Sequence, residues 1–332
     1  MNSVVCAIVG VGRLGYIHAE NIARNINGAS LKYVITAREE SARKAAEQLD
    51  VPHWSTDFEQ VMKDDTVDAV IIASPTSTHA DFIKQCVASK KHIFVDKPIT
   101  ETVRQAKEVI PAIRESGIIC QIGFMRRFDP AYKAAKKRIK AGDIGEPFYF
   151  KGISRDPGSP PENFIKNSGG IFIDMCIHEY DIARFLLEQE VKAIQTFGSV
   201  QLHPFMEKYM DIDQSLSYLV FEKGATADIE GSRNSMYGYD IRGEIVGTEG
   251  AIQIGSMQHE KNVILTKKKT YYDNIPDFPT KYSEAFLKEM EHFITCVQNG
   301  ERPSVDEEDG LRSLQVAEAA KKSLCEHKKI YL

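Results

Sequence analysis

The stretch that most restricts what this chain can fold into is Gly10-Val11-Gly12-Arg13-Leu14-Gly15, because of what flanks it. Residues 4 to 9 ahead of it form a short apolar, β-branched run of the kind buried on both faces in a parallel sheet. A helical stretch through Asn25 and a second strand at Leu31 to Thr36 come after, so the glycines sit at the first turn of a βαβ unit. Gly10 permits the tight turn, Gly12 leaves room for a pyrophosphate beside the backbone, and Gly15 lets helix and strand pack closely. The helix N-terminus, beginning with Arg13 and Leu14, then faces the phosphates. A dinucleotide-binding α/β domain is expected to open the chain.

The end of the second strand is where a carboxylate would hold the ribose hydroxyls of NAD, and here it reads Thr36-Ala37-Arg38. No carboxylate repels a 2′-phosphate and an arginine stands beside it, so NAD(P) is expected, leaning to NADP. Glu39 or Glu40 takes the acidic role if the strand ends later. Alternation continues through Ala69 to Ala73, a loop at 74 to 78, a helix from His79 and a strand from His92 to Val95. Ser74, Pro75 and Thr76 should line the cofactor crevice at the carboxyl ends of the strands. His79 reads as a first-turn helix residue behind a Thr78 cap, beside that crevice. The last of these strands leads into Asp96-Lys97-Pro98, where the proline restricts Lys97 and aims it out of the sheet edge. A lysine there can hydrogen-bond a substrate oxygen while a proton leaves; its bland alternative is a solvated surface lysine.

At 332 residues the chain is long for one core, and two domains are expected: residues 1–124, and residues 125–332 forming an α+β domain around a large, mostly antiparallel open sheet. Strand patterns run Gln214 to Phe221 and Ala225 to Ser232 around Glu222-Lys223-Gly224, and Asp240 to Val246 and Ala251 to Ile254 around a second turn. Phe148 to Ser154, Val191 to Leu202 and Asn262 to Tyr271 are expected to join them. One sheet face should carry a helix. The other, with Leu219 and Phe221, should meet a second subunit in a homodimer or homotetramer. The helix is Gly169 to Asp181 onward, where Asp174 and His178 are four apart and share a face. Two readings of the pair stay open on this segment: acid–base chemistry, or a core histidine with Asp174 as its partner.

The glycine loop, Asp96-Lys97-Pro98, Gly123-Phe124-Met125-Arg126-Arg127-Phe128-Asp129, Asp174…His178-Glu179-Tyr180-Asp181 and Tyr237-Gly238-Tyr239-Asp240 together resemble the glucose-fructose oxidoreductase, inositol dehydrogenase and MocA (Gfo/Idh/MocA) family, most of all its inositol 2-dehydrogenase branch. The resemblance runs nearly end to end. It implies an N-terminal Rossmann domain, a C-terminal open sheet, and oxidation of a ring secondary alcohol to a ketone by hydride transfer to a nicotinamide. It implies Lys97 as the hydroxyl-binding lysine, Asp174 as its polar partner and His178 as general base, with Arg127 and Tyr237 near the substrate. The sequence departs from the family pattern in Asp96, where glutamate is usual, in Ala37, and in Gly152-Ile153-Ser154-Arg155-Asp156-Pro157. In that last stretch myo-inositol enzymes carry histidine and asparagine around the arginine. Ser154, Arg155 and Asp156 are therefore expected at the substrate, which is another inositol isomer or a pyranose sugar.

A net charge of −5 points away from nucleic acid and anionic membranes. No apolar stretch is long enough to span a bilayer. Six scattered cysteines without metal-type spacing and an N-terminus without a basic leader fit a cytoplasmic protein. Two other functions remain to be weighed. A metal-dependent isomerase or lyase would use Asp174, His178, Glu179 and Asp181, but a helix turns Glu179 off the shared face, and no metal site is expected. A non-catalytic dinucleotide sensor would have no need of the lysine, aspartate and histidine.

Overall fold

The computed structural model describes residues 3–259 and 262–332. The chain divides into two compact units: Met1–Phe128 with Glu284–Leu311, and Asp129–Ser283 with Arg312–Leu332. This differs from a single cut at residue 124, for a reason visible in the core of the first unit. Met290, Phe293, Ile294 and Cys296, late in the chain, pack with Val4, Cys6, Ile8, Ile22 and Phe94.

The first unit holds six strands: β1 (Val4–Val9), β2 (Ala29–Ile35), β3 (His53–Ser55), β4 (Ala69–Ile72), β5 (His92–Asp96) and β6 (Cys120–Gly123). They order as β3-β2-β1-β4-β5-β6, every pair parallel. This is the doubly wound arrangement, whose order reverses between β1 and β4, the place where such sheets bind ligands. Its helices are α1 (Arg13–Glu20), α2 (Glu39–Leu49), α3 (Glu59–Met62), α4 (His79–Ala88) and α5 (Val103–Ser116). A capping box starts α5, with Thr102 accepting from Gln105 N and the Gln105 side chain returning to Thr102 N.

The second unit contains α6 (Pro130–Lys140), β7 (Pro147–Arg155), α7 (Glu162–Asn167), a π-helical turn at Phe172–Cys176, α8 (Ile177–Leu187), β8 (Val191–Ser199), β9 (Gln214–Phe221), β10 (Thr226–Ser232), β11 (Asp240–Gly247) and β12 (Ala251–Ile254). Among the described residues, short strands β13 (Ile264–Leu265) and β14 (Thr270–Tyr271) pair only with each other, so the strand expected over Asn262 to Tyr271 is a separate small hairpin. Helices α9 (Phe278–Asn299) and α10 (Glu307–Glu326) and the short β15 (Ile330–Tyr331) finish the chain. The sheet of seven strands runs β12-β11-β7-β10-β9-β8-β15. Both expected hairpins form, β9 with β10 and β11 with β12, and β7 alone enters parallel, beside β10.

One face of this sheet is covered by the π turn and α8. Contact is close: a Cβ at Gly231 would lie 2.4 Å from Cys176 Sγ. The covered face carries Ser215, Ser217, Leu219 and Phe221, all buried. The expectation that Leu219 and Phe221 look outward was therefore one residue out of step. The open face instead shows Leu216, Tyr218 and Phe197, which are 46%, 47% and 61% exposed. Covered-side serines are possible because they find partners there. Ser217 Oγ lies 3.0 Å from Tyr180 Oη and 3.1 Å from Thr196 Oγ1. Among the described residues no helix is long and apolar enough to cross a membrane.

Beneath β5 the first unit buries two titratable groups. His18 of α1 is enclosed with Phe94 and Phe286 at its edges, and Glu289 of α9 stands 3.9 Å from it. Burial lowers the pKa of His18 to about 3 and raises that of Glu289 well above the carboxylate range, with Asp96 adding to the second effect. Burial thus disfavours the charged form of both groups. Above pH 4.5 the unfolded chain sheds the Glu289 proton that the folded chain keeps, so this group removes stability as pH rises. Glu289→Gln should therefore gain stability over the parent as pH rises above 4.5, by up to about 1.4 kcal/mol per pH unit in denaturant unfolding. A difference that does not change with pH would mean that Glu289 is ionised in the fold.

Candidate active site

The nucleotide edge of the first unit is built by steric contact. Gly10 has φ +91°, and a Cβ there would fall 2.6 Å from Ala73 O; a Cβ at Gly15 would fall 2.1 Å from Gly10 O. Among the described residues no atom lies within 4 Å of a Cβ position at Gly12. Gly12 is also the N-cap of α1 and offers no side chain to its first N–H groups. Open space in front of uncapped N–H donors suits a pyrophosphate, so these residues fit a dinucleotide. At the end of β2, Ala37 and Arg38 are exposed. The Thr36 hydroxyl turns inward, donating to Arg38 O (2.7 Å) and accepting from Arg38 N (3.1 Å). Glu39 and Glu40 open α2 beyond this turn.

Ser74, Pro75 and Thr76 follow β4, as expected. Thr78 does not cap α4; its hydroxyl donates to Pro75 O and meets Ser74 Oγ at 2.7 Å. His79 is a buried tie, with Nδ1 2.9 Å from Pro98 O and Nε2 3.0 Å from Ser74 O. Burial lowers its pKa, although both carbonyls favour the charged form. The imidazole thus joins the crevice loop to the turn that carries Lys97. Lys97 leaves the carboxyl end of β5, its backbone N–H donating to Asp96 Oδ1 at 2.8 Å, and the Lys97–Pro98 peptide is cis. The shorter aspartate therefore grips the backbone of Lys97 directly.

In the second unit Asp174 and His178 share one helical segment, but its first turn is π and α8 begins only at Ile177. Such turns recur at functional sites. The segment is buried nearly all round, with Glu179, Asp181 and Arg184 enclosed alongside the apolar residues. Asp181 meets the hydroxyl of Ser313 (3.2 Å) and Arg184 (3.6 Å), and Arg184 grips both oxygens of Glu190. Among the described residues no group of three or more His, Cys, Asp or Glu side chains is placed to hold a metal ion.

Asp174 Oδ2 accepts from Arg233 Nη2 at 3.1 Å, and Asp156 Oδ2 lies 3.7 Å from Arg233 Nη1. Arg233 is fully buried, whereas the Asp174 and Asp156 side chains keep 21% and 25% of their surface. Burial opposes the charge of Arg233, but Asp174, Asp156 and Asp211 outweigh it and raise the guanidinium's pKa. Asp211 is buried too and accepts from Ile171 N at 2.9 Å, at the start of the segment carrying Asp174. Sequence reasoning missed Arg233 and Asp211. Nothing local marks them, since their partners come from distant parts of the chain.

Three expected substrate residues are engaged elsewhere. Arg127 is buried in the first unit and pairs with both oxygens of Asp309 (2.7 and 3.1 Å). Arg155 donates to both oxygens of Glu230 (2.8 and 2.7 Å) and to Tyr237 Oη (2.7 Å), and Tyr237 donates to Asp240 at 2.9 Å. Strand alternation turns Arg155 with Glu230 to the open face, away from the Asp174 segment. Ser154 is fully buried, which leaves Asp156 as the member of that stretch with surface on the helix side.

Comparison with known proteins adds the chemistry of relatives. Residues 4–124 match an oxidoreductase family's NAD-binding Rossmann fold, and residues 136–332 its C-terminal alpha/beta domain. The scyllo-inositol 2-dehydrogenase (NAD(+)) of Bacillus subtilis is 48% identical over 97% of this chain and 94% of its own. The myo-inositol 2-dehydrogenase of Thermotoga maritima is 36% identical over 98% and 97%. The crystal structure of scyllo-inositol dehydrogenase from Lactobacillus casei with bound NAD(H) and scyllo-inositol superposes with a TM-score of 0.94 at 28% identity, covering 99% of each chain. With both halves of the family matched in order along one chain, and relatives of this identity over nearly its whole length, this protein belongs to the Gfo/Idh/MocA oxidoreductase family.

Proposed function

We propose that this chain oxidises a ring secondary alcohol of an inositol to the ketone, with a nicotinamide dinucleotide as acceptor. The observation that carries the reading is Lys97 at the carboxyl end of β5, on the same sheet edge as a glycine turn fitted to a dinucleotide. The substrates named for the relatives support the class of polyol, and scyllo-inositol comes first because the 48% identical relative bears that name. The bound cofactor supplies an oxidised ring that accepts a hydride. His178 takes the hydroxyl proton, since a neutral imidazole is the ordinary base near pH 7. The Lys97 ammonium hydrogen-bonds the alcohol oxygen and favours loss of that proton. Asp174 and Asp156 accept hydrogen bonds from neighbouring hydroxyls. Both NAD and NADP are accepted, because Ala37 leaves a 2′-phosphate unopposed. The described cysteines are free thiols, which fits a reducing cytoplasm.

A second copy of the chain covers the open sheet face at Leu216, Tyr218 and Phe197. Leu216→Asp should lower the mass seen by light scattering at micromolar concentration. A parent protein that is already monomeric there would remove this interface.

A spectrophotometric screen of inositol isomers and hexoses with each cofactor tests the activity itself; no nicotinamide reduction with any polyol, despite tight cofactor binding, would overturn it. Within the active protein, His178→Ala should lower turnover by roughly 10²-fold or more and leave the cofactor Kd unchanged. Ordinary turnover in that variant would rule out the base. Ala37→Asp should cut kcat/KM with NADP by about tenfold or more relative to NAD through charge repulsion. An unchanged cofactor ratio would place the ribose at another residue.

A further inference from the structure

Arg233 is a fully buried cation of the second unit to which the proposed reaction gives no role. It follows the last residue of β10 and is wholly enclosed. The charged groups that act on it most strongly among the described residues are Asp174 from the π turn, Asp156 beyond β7 and Asp211 ahead of β9. The backbone holds this arrangement firmly. Asp156 N donates to Ser232 O (2.8 Å), Ser235 N to Asp156 O (3.0 Å) and Arg233 N to Asp213 O (2.8 Å). The segments that carry Arg233 and Asp156 are therefore tied to one another through their backbones. Arg233 Nε and Nη1 have no acceptor within hydrogen-bond reach among the described residues, so only Nη2 is spent, on Asp174. Asp156 at 3.7 Å is held by charge more than by a hydrogen bond.

A buried cation with unspent donors is costly to keep as mere structure. Its value lies in what it does to its neighbours. The guanidinium stands within 4 Å of a carboxylate oxygen of both Asp174 and Asp156, so removing it would shift both acids toward the protonated form. A protonated carboxyl presents one acceptor oxygen and one donor, whereas an ionised one presents acceptors only. We infer that Arg233 is a positioning and specificity-determining residue: it holds Asp174 and Asp156 ionised and aligned, so that the site selects a polyol offering two hydroxyl donors at once. Arg233 has no surface and does not touch the substrate; it acts through the two aspartates. A substrate lacking one of those hydroxyls forgoes a hydrogen bond to an ionised carboxylate, and that loss is the basis of discrimination.

This inference rests on the inositol dehydrogenase reading, and the parent enzyme's activity on scyllo-inositol keeps the two separable. If the parent reduces no nicotinamide with scyllo-inositol or myo-inositol, the reading itself has failed. If the parent is active, Arg233→Met should raise the KM for scyllo-inositol tenfold or more with a smaller change in kcat, leave the cofactor Kd unchanged, and move the acid limb of kcat/KM upward by about one pH unit. The sign follows from charge: removing a cation raises the pKa of nearby acids, so activity is lost at higher pH. Wild-type KM and an unmoved acid limb would overturn the inference. Should the methionine variant not fold, Arg233→Lys carries the test, because it retains the charge without the planar fork. The acid limb should then stay at its parent position while KM rises, and parent values for both would show that alignment by Arg233 is not needed.

Discussion

The backbone carbonyl of Gly10 stands where the side chain of any other residue at position 15 would have to begin, 2.1 Å from that Cβ. That contact seats the first turn of α1 against the end of β1, and the rest of the nucleotide edge is laid out from it. Ala73, at the end of the adjacent strand, closes on Gly10 from the other side. The loop after β4 must then run along the same edge, and His79 carries the constraint one strand further by spanning Ser74 O and Pro98 O. A lysine two residues past β5's last apolar position thus emerges at a place fixed by glycine packing some eighty residues earlier in the chain.

The sequence was legible wherever a local rule decides the outcome. Turn residues between alternating runs identified the β9–β10 and β11–β12 hairpins, because a hairpin's register follows from its turn. Alternation gave the strands but not their facing. Ser215 and Ser217 sit on the covered side with internal partners, while Leu216 and Tyr218 sit outside, so a rule that sends apolar residues inward picks the wrong face of β9. The division of the chain was obscured for a related reason. The helix holding Met290 and Phe293 is amphipathic whichever unit it joins, and only the packed core reveals that it completes the first.

The same contrast separates the site residues. Lys97, Asp174 and His178 stand in short motifs whose resemblance survives in one sequence, and the structure sets each on the expected strand end or helical segment. Arg155 lies in such a motif as well, yet the two-residue period of β7 turns it to Glu230 and Tyr237 on the open face. Arg127 illustrates the opposite limit. An arginine in a family motif can be consumed by its own fold, here through the fork-to-carboxylate pair with Asp309.

The two buried arginines of the second unit show why hydrogen-bond saturation separates structural charge from functional charge. Arg184 donates to both oxygens of Glu190 and to Ser313, and Ser313 returns to Asp181, so the network closes on itself and α8 is locked in place. Desolvating that cation costs several kcal/mol, and the bidentate geometry offsets the cost locally. Arg233 is enclosed more completely but bonded less, with one carboxylate at 3.1 Å and a second at 3.7 Å. On the inference drawn above, this cation keeps the anions around it ionised. Both of those anions retain surface, so the charge set by the buried arginine is expressed outside the core, where hydroxyl groups of a ligand can use it.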